Sequence, residues 1–129
     1  MATFNRFEDI VSWQKSRMLC KLINDYTSKN SFSKDFKLIS QIKSSSGSAM
    51  DNIAEGFERG GNKEFSQFLS ISKGSAGETR SQLYRALDNE YISKEEFQEA
   101  YNLADEVGKL TGALMNHLKS SDLKGNKFK

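Results

Sequence analysis

Apolar positions recur along this chain at helical spacing in four long segments. In the first, Ile10, Val11, Met18, Leu19, Leu22, Ile23 and Tyr26 form a broad apolar face with Trp13 at its border. This predicts a helix from about Phe7 to Ser28, opened by a capping box of Asn5 and Glu8. A polar connection follows over Lys29 to Ser33. In the second segment Leu38, Ile42, Ser45, Ala49 and Ile53 make one seam, which predicts a helix from Lys34 or Asp35 to Arg59. Its centre, Ser44-Ser45-Ser46-Gly47-Ser48-Ala49, has the composition of a flexible linker. The seam stays in phase on both sides of that centre, so the helix is expected to run through it. Gly60-Gly61 closes it, and Asn62 is placed to cap the next helix.

The third helix is predicted from Lys63 to Leu87, with Phe65, Phe68, Ser72, Ala76, Thr79, Leu83 and Ala86 inward. After a turn over Asp88 to Ile92, Ser93 and Glu96 form a capping box. The fourth helix then runs to about Ser120, with Phe97, Tyr101, Ala104, Val107 or Gly108, Thr111, Leu114 and Leu118 inward. Residues 121–129 read as a basic, unstructured tail. Short connections make sequential helices antiparallel neighbours. The predicted fold is therefore all-α, an up-down-up-down four-helix bundle over residues 1–120.

Composition agrees. The chain has 129 residues, no proline, 36% apolar and 28% charged residues, which suits one helical domain. It has no apolar run long enough to span a bilayer and no apolar leader, and its single cysteine, Cys20, rules out an intrachain disulfide. A cytoplasmic protein is expected. Charge is uneven: residues 119–129 carry four lysines against one aspartate, a net +3. Residues 1–118 carry fifteen basic and sixteen acidic groups, a net −1. The body of the bundle is nearly neutral.

Candidate chemistry is sparse. Di-metal carboxylate bundles need Glu-x-x-His pairs, and the lone His117 follows Leu114 at that spacing. Lys73-Gly74-Ser75 has the wrong order for a phosphate-binding loop. No enzyme, cofactor or metal is expected. Two runs stand out instead: Asn52-Ile53-Ala54-Glu55-Gly56 and Lys73-Gly74-Ser75-Ala76-Gly77-Glu78. Glycine inside a helix costs about 1 kcal/mol relative to alanine. Its presence predicts close approach of helices two and three, with Asn52, Glu55, Gly56, Gly74, Ser75 and Glu78 at the contact. Asn52 is expected to bond Glu78 or Gln82, and Glu55 to pair with Arg59 along its own helix. The small-residue gap there could also admit a ligand, a more remote reading. Lys63, Ser70, Lys73, Gly77, Arg80 and Tyr84 share one face of helix three. Of these, Lys63, Lys73, Arg80 and Tyr84 are candidate contacts to RNA or DNA. Phe4, Phe7, Phe57, Tyr84 and Tyr91 lie outside the seams, a surplus that predicts a face covered by another subunit.

Three motifs carry a family resemblance. Phe7-Glu8-Asp9-Ile10-Val11-Ser12-Trp13-Gln14-Lys15 resembles the opening of the 23S ribosomal RNA intervening-sequence proteins. Asn52-Ile53-Ala54-Glu55-Gly56 resembles their central signature, and the run from Glu64 to Ser75 followed by Glu78 resembles their third-helix signature. The resemblance covers about residues 4–118. It implies a left-handed four-helix bundle, often a homopentamer with a central channel. It also implies kinship with accessory proteins of diversity-generating retroelements, which associate with a reverse transcriptase and nucleic acid. For most members no activity is established. The chain departs from the family pattern twice. Lys43-Ser44-Ser45-Ser46 replaces a more basic stretch, and Met50 stands where a proline is common, which should lessen the kink in helix two. The expected role is a homo-oligomeric, non-enzymatic interaction module, with an RNA- or DNA-binding accessory protein as the alternative.

Overall fold

The computed structural model describes residues 4–123, with side chains described for residues 4–120. A 3-10 turn at Phe7–Asp9 precedes helix α1, Val11–Thr27. A second 3-10 turn, Asn30–Lys34, leads into α2, Phe36–Glu58. Helices α3, Asn62–Asp88, and α4, Lys94–Leu123, complete the chain, and no strand occurs among the described residues. Each helix packs on two neighbours, α1 on α2 and α4, and α3 on α2 and α4. Cross-helix pairs run in opposite numerical order, Ser45 with Thr79 and Ala49 with Ser72, then Arg80 with Asp105 and Tyr84 with Phe97. Sequential helices are therefore antiparallel, and the all-α four-helix bundle is as the periodicity predicts.

The predicted seams hold through the middle of the bundle. Leu38, Ile42, Ser45, Ala49 and Ile53 of α2 are all buried, and the serine-rich stretch between them is continuous helix. On α3, Phe68 is only half-buried and Leu69 takes the core position beside it. On α4, Val107 is buried and Tyr101 half-buried, while Ala100 and Leu103 join the core. One large apolar cluster, built around Leu19, Phe32, Leu38, Leu83 and Phe97, fills the end that holds the turn between α1 and α2. A second, around Ile10, Ile53, Phe65 and Leu118, fills the other end. Between them sits a waist of Ala49, Ala76 and Val107.

Helix ends depart more. The capping box expected of Asn5 and Glu8 does not form: Phe7–Asp9 is a separate 3-10 turn and α1 begins after Ile10 in extended geometry. Ile10, at the break, is almost fully buried in the second core cluster. Val11 and Met18, expected inward, are about half exposed on the outer side of α1. Asn62 is the first residue of α3 and buried, with Gly61 as the cap residue. Gly60 adopts a φ of +84°, the left-handed conformation that ends α2. The box of Ser93 and Glu96 forms reciprocally, at 2.9 and 3.0 Å. α4 continues to Leu123, three residues beyond the predicted end, and residues 124–129 of the expected tail lie outside the described residues.

The connection expected to be polar over residues 29–33 carries a plug. Phe32 is fully buried and stacks on Tyr91 with ring centroids 5.0 Å apart. The Tyr91 hydroxyl donates to Asp35, whose other oxygen accepts from the backbone N–H of Leu38 and caps α2. That backbone bond first, then the Tyr91 hydroxyl, hold the Asp35 carboxyl below its ordinary value of 3.8. A carboxyl depressed in the folded state contributes stability above its unfolded value and loses it as pH falls through the folded one. We predict that Asp35→Asn, which keeps a capping oxygen, flattens the loss of stability below about pH 4. Urea midpoints for both proteins across the acid limb check this, and parallel acid limbs would refute it.

Candidate functional site

The α2–α3 joint is built from hydroxyl groups. Ser45 Oγ donates to Gln82 Oε1 at 2.6 Å and lies 2.8 Å from the Thr79 hydroxyl. Ser72 donates to the backbone carbonyl of Ala49 at 2.6 Å, and Ser75 to the Ser48 hydroxyl at 2.8 Å. Each such bond adds a net ~0.5–1.5 kcal/mol, and leaving one partner buried and unpaired costs about 1–3 kcal/mol. Small side chains let the two helices close, and their hydroxyls satisfy one another across the contact. The hydroxyls meet across the gap between the two helices.

The six residues expected at this joint divide. Gly56 is the point of close approach: a Cβ there would lie 2.6 Å from Phe68 Cβ and 3.3 Å from the Phe65 carbonyl oxygen. Ser75 is also at the contact. Gly74 is not, since it is exposed with nothing within 4 Å of a would-be Cβ. Asn52 does not reach Glu78 or Gln82. Its amide donates to the Ser48 carbonyl and hydroxyl within α2, and the same hydroxyl accepts from Ser75 of α3. Glu55 faces solvent and pairs with Arg59 at 2.8 Å, as its spacing predicts. Glu78 is exposed and accepts from Gln82 on its own helix. The carboxylates face outward because a charge is far costlier to bury than a hydroxyl. The missed signal was the match of Ser45, Ser48 and Ala49 with Ser72, Ser75 and Thr79 in reverse order.

Lys63, Lys73, Arg80 and Tyr84 all lie along the side of α3 that meets α4. At one end Lys63 and Lys119 flank a hollow of about 480 Å³, lined also by Ser66, Gln67, Ser70 and Asn116. None of the described residues lining it is acidic. Further along, the Lys73 stem passes Gly112, where a Cβ would sit 3.3 Å from Lys73 Cε. Arg80 lies 3.7 Å from Asp105 and over the Tyr101 ring at 5.8 Å. Asp105 also meets Lys109 at 2.9 Å. Tyr84 is 49% exposed, with its ring against Phe97 and Tyr101 at 4.9 and 5.8 Å. Lys109 and Lys119 were not singled out from the sequence, because they lie on a different helix.

The surplus aromatics find partners inside the protomer. Phe4, Phe7, Trp13 and Phe57 pack against the second core cluster, and Tyr91 covers Phe32. Tyr84 alone of the five remains half exposed. Other large apolar side chains left exposed are Val11, Met18, Phe36 and Ile71, with Phe36 at the start of α2 the most open at 77%. Val11 and Met18 protrude from α1, and a slot of about 250 Å³ between α1 and α4 is lined by Phe4, Ile10, Val11, Leu110, Ala113 and Leu114 together with Ser12 and His117. Cys20 is half-buried and donates to the Ser46 carbonyl. Burial, ahead of other effects, pushes its thiol above the ordinary 9.0, which makes it a poor nucleophile. Among the described residues, no helix is long and apolar enough to cross a membrane.

Residues 8–113 match the family model described as 23S rRNA-intervening sequence protein. The fold is similar to a crystal structure from Bacteroides thetaiotaomicron, a protein of unknown function from the S23 ribosomal protein family. The TM-score is 0.73 at 27% identity, over 82% of this chain and 96% of that one. No curated protein sequence matches the chain.

Proposed function

The chain belongs to the 23S rRNA-intervening sequence protein family, and we propose that it acts there as a non-enzymatic, homo-oligomeric interaction module. The observation that carries this is the partly uncovered apolar side of α1, where Val11 and Met18 are about half exposed and Val11 borders a mostly apolar slot against α4. Exposed apolar side chains grouped on one side of a bundle favour association. Light scattering on the wild-type chain at micromolar concentration is expected to give an oligomer, a pentamer by the family resemblance. Met18→Glu places a charge on the face without disturbing the core, and is expected to lower the measured mass toward the monomer at unchanged helicity. A wild-type monomer would overturn the proposal.

A second reading, an RNA- or DNA-binding accessory protein, is favoured by one observation: the hollow between Lys63 and Lys119 has no acid among its described lining residues. An oligomer would repeat that groove and multiply weak contacts. Phosphate contacts make such binding fall steeply with salt. Failure to retain structured or unstructured RNA or DNA even at low salt would remove this reading.

A further inference from the structure

We infer that the α3–α4 groove takes a single-stranded nucleic acid, with a base stacked on Tyr84 at one end and phosphates at Lys73, Lys63 and Lys119 toward the other. This rests on the nucleic-acid reading above and adds which form of the polymer the groove accepts.

The groove has two chemically different halves on one line. Lys63 and Tyr84 lie roughly 30 Å apart along the helix axis at ~1.5 Å per residue. The half near Lys63 and Lys119 offers ammonium groups together with the hydroxyls of Ser66 and Ser70 and the amides of Gln67 and Asn116. Those are donors for phosphate and sugar oxygens, without sequence preference. The half near Tyr84 offers an aromatic surface. Phe97 and Tyr101 pack against the Tyr84 ring, and the residue is still 49% exposed. Arg80 stands between the halves. At 3.7 Å its contact with Asp105 is too long for a hydrogen bond, and Asp105 has Lys109 at 2.9 Å as its closer partner. A phosphate can therefore compete for Arg80.

A base can stack on Tyr84 only if its face is free. In a duplex the faces are covered by neighbouring base pairs, so a duplex could use the lysines and not the ring. An acidic peptide would use the lysines in the same way and gain nothing from the aromatic surface.

The test uses the full chain and fluorescence anisotropy with labelled oligouridine and oligothymidine of about 12 nucleotides, within the span common for such grooves. A duplex with the same number of phosphates and a polyglutamate peptide serve as competitors. Either single strand is expected to bind roughly 10-fold tighter than the duplex, the order of one base stacked on an aromatic ring. Tyr84→Leu, which keeps packing volume against Phe97 without a π face, is expected to remove about that factor for single strands and leave duplex binding unchanged. Tyr84→Phe is expected to retain it. Lys63→Gln with Lys119→Gln is expected to lower the salt slope for the single strand by about 0.7 per lost contact. Equal binding of duplex and single strand, with Tyr84→Leu silent, overturns the inference and leaves the nucleic-acid reading standing. Polyglutamate competing as well as the single strand overturns the inference too. Absence of binding to any nucleic acid overturns both.

Discussion

Gly56→Ala is expected to destabilise the bundle by about 1–3 kcal/mol, the usual cost of overpacking a filled contact. The added methyl would stand 2.6 Å from Phe68 Cβ and 3.0 Å from Phe65 Cδ1. Neither neighbour yields easily. Phe65 is fully buried in the second core cluster, and the Phe68 ring lies under the Arg59 guanidinium at 5.0 Å. Phe68 Cβ is also tied to backbone, so relief requires α2 and α3 to move apart, which loosens the hydroxyl contacts further up the same joint. The change runs against intrinsic propensity, since alanine is favoured over glycine in a helix by about 1 kcal/mol. Gly74→Ala supplies the control. Gly74 is exposed in mid-helix with no atom in reach of a new Cβ, so propensity acts alone there and stability is expected to rise by up to ~1 kcal/mol. One substitution type at two helical glycines thus has opposite expected signs. Thermal melts of the two variants decide it, and a Gly56→Ala melting temperature at or above wild type would show that the joint has slack.

Phe32→Ala is expected to cost about 3–5 kcal/mol, the range for removing a fully buried aromatic side chain. Against a total stability of about 5–15 kcal/mol, that is a large share for a residue in a five-residue 3-10 turn. The ring closes the end of the larger core cluster and supports Tyr91, whose hydroxyl in turn holds the capping carboxylate of Asp35. Losing the ring therefore leaves a cavity and removes the support for a helix cap. Phe32→Leu, which refills most of the volume, is expected to recover more than half of the loss. Urea unfolding read by circular dichroism measures both, and a Phe32→Ala midpoint close to wild type would show that the turn contributes little to the fold.

Local pattern was enough for most of the architecture. The seam Leu38, Ile42, Ser45, Ala49, Ile53 held its phase through a serine-rich stretch, and that continuity correctly outweighed linker-like composition. Ser93 and Glu96 formed their capping box because both partners are exposed and no core residue competes for the backbone there. Asn5 and Glu8 did not, since α1 starts only after Ile10, which is extended and packed into the core. Phe32 was hidden within a polar run, since a single aromatic residue in a turn has no periodicity to reveal it.

The two glycine runs show where sequence reasoning ended. Glycine signals that a Cβ is absent and gives no indication of which neighbour, if any, fills the space. Gly56 and Gly74 therefore looked alike, and only the packing of α3 against α2 assigned the close contact to Gly56. Likewise the lysines of α3 could be placed on one face, but Lys119 and Asp105 joined them only when α4 folded alongside.

By itself, then, the sequence determined the number of helices, their order and most of their inward faces, because each depends on spacing within one segment. The tertiary structure alone decided which small residues meet across the α2–α3 joint, that Asn52, Glu55 and Glu78 bond within their own helices, and that lysines and aromatic rings from two helices lie along the α3–α4 contact. Those features depend on the register between helices, and register is set by side chains far apart in the chain packing together.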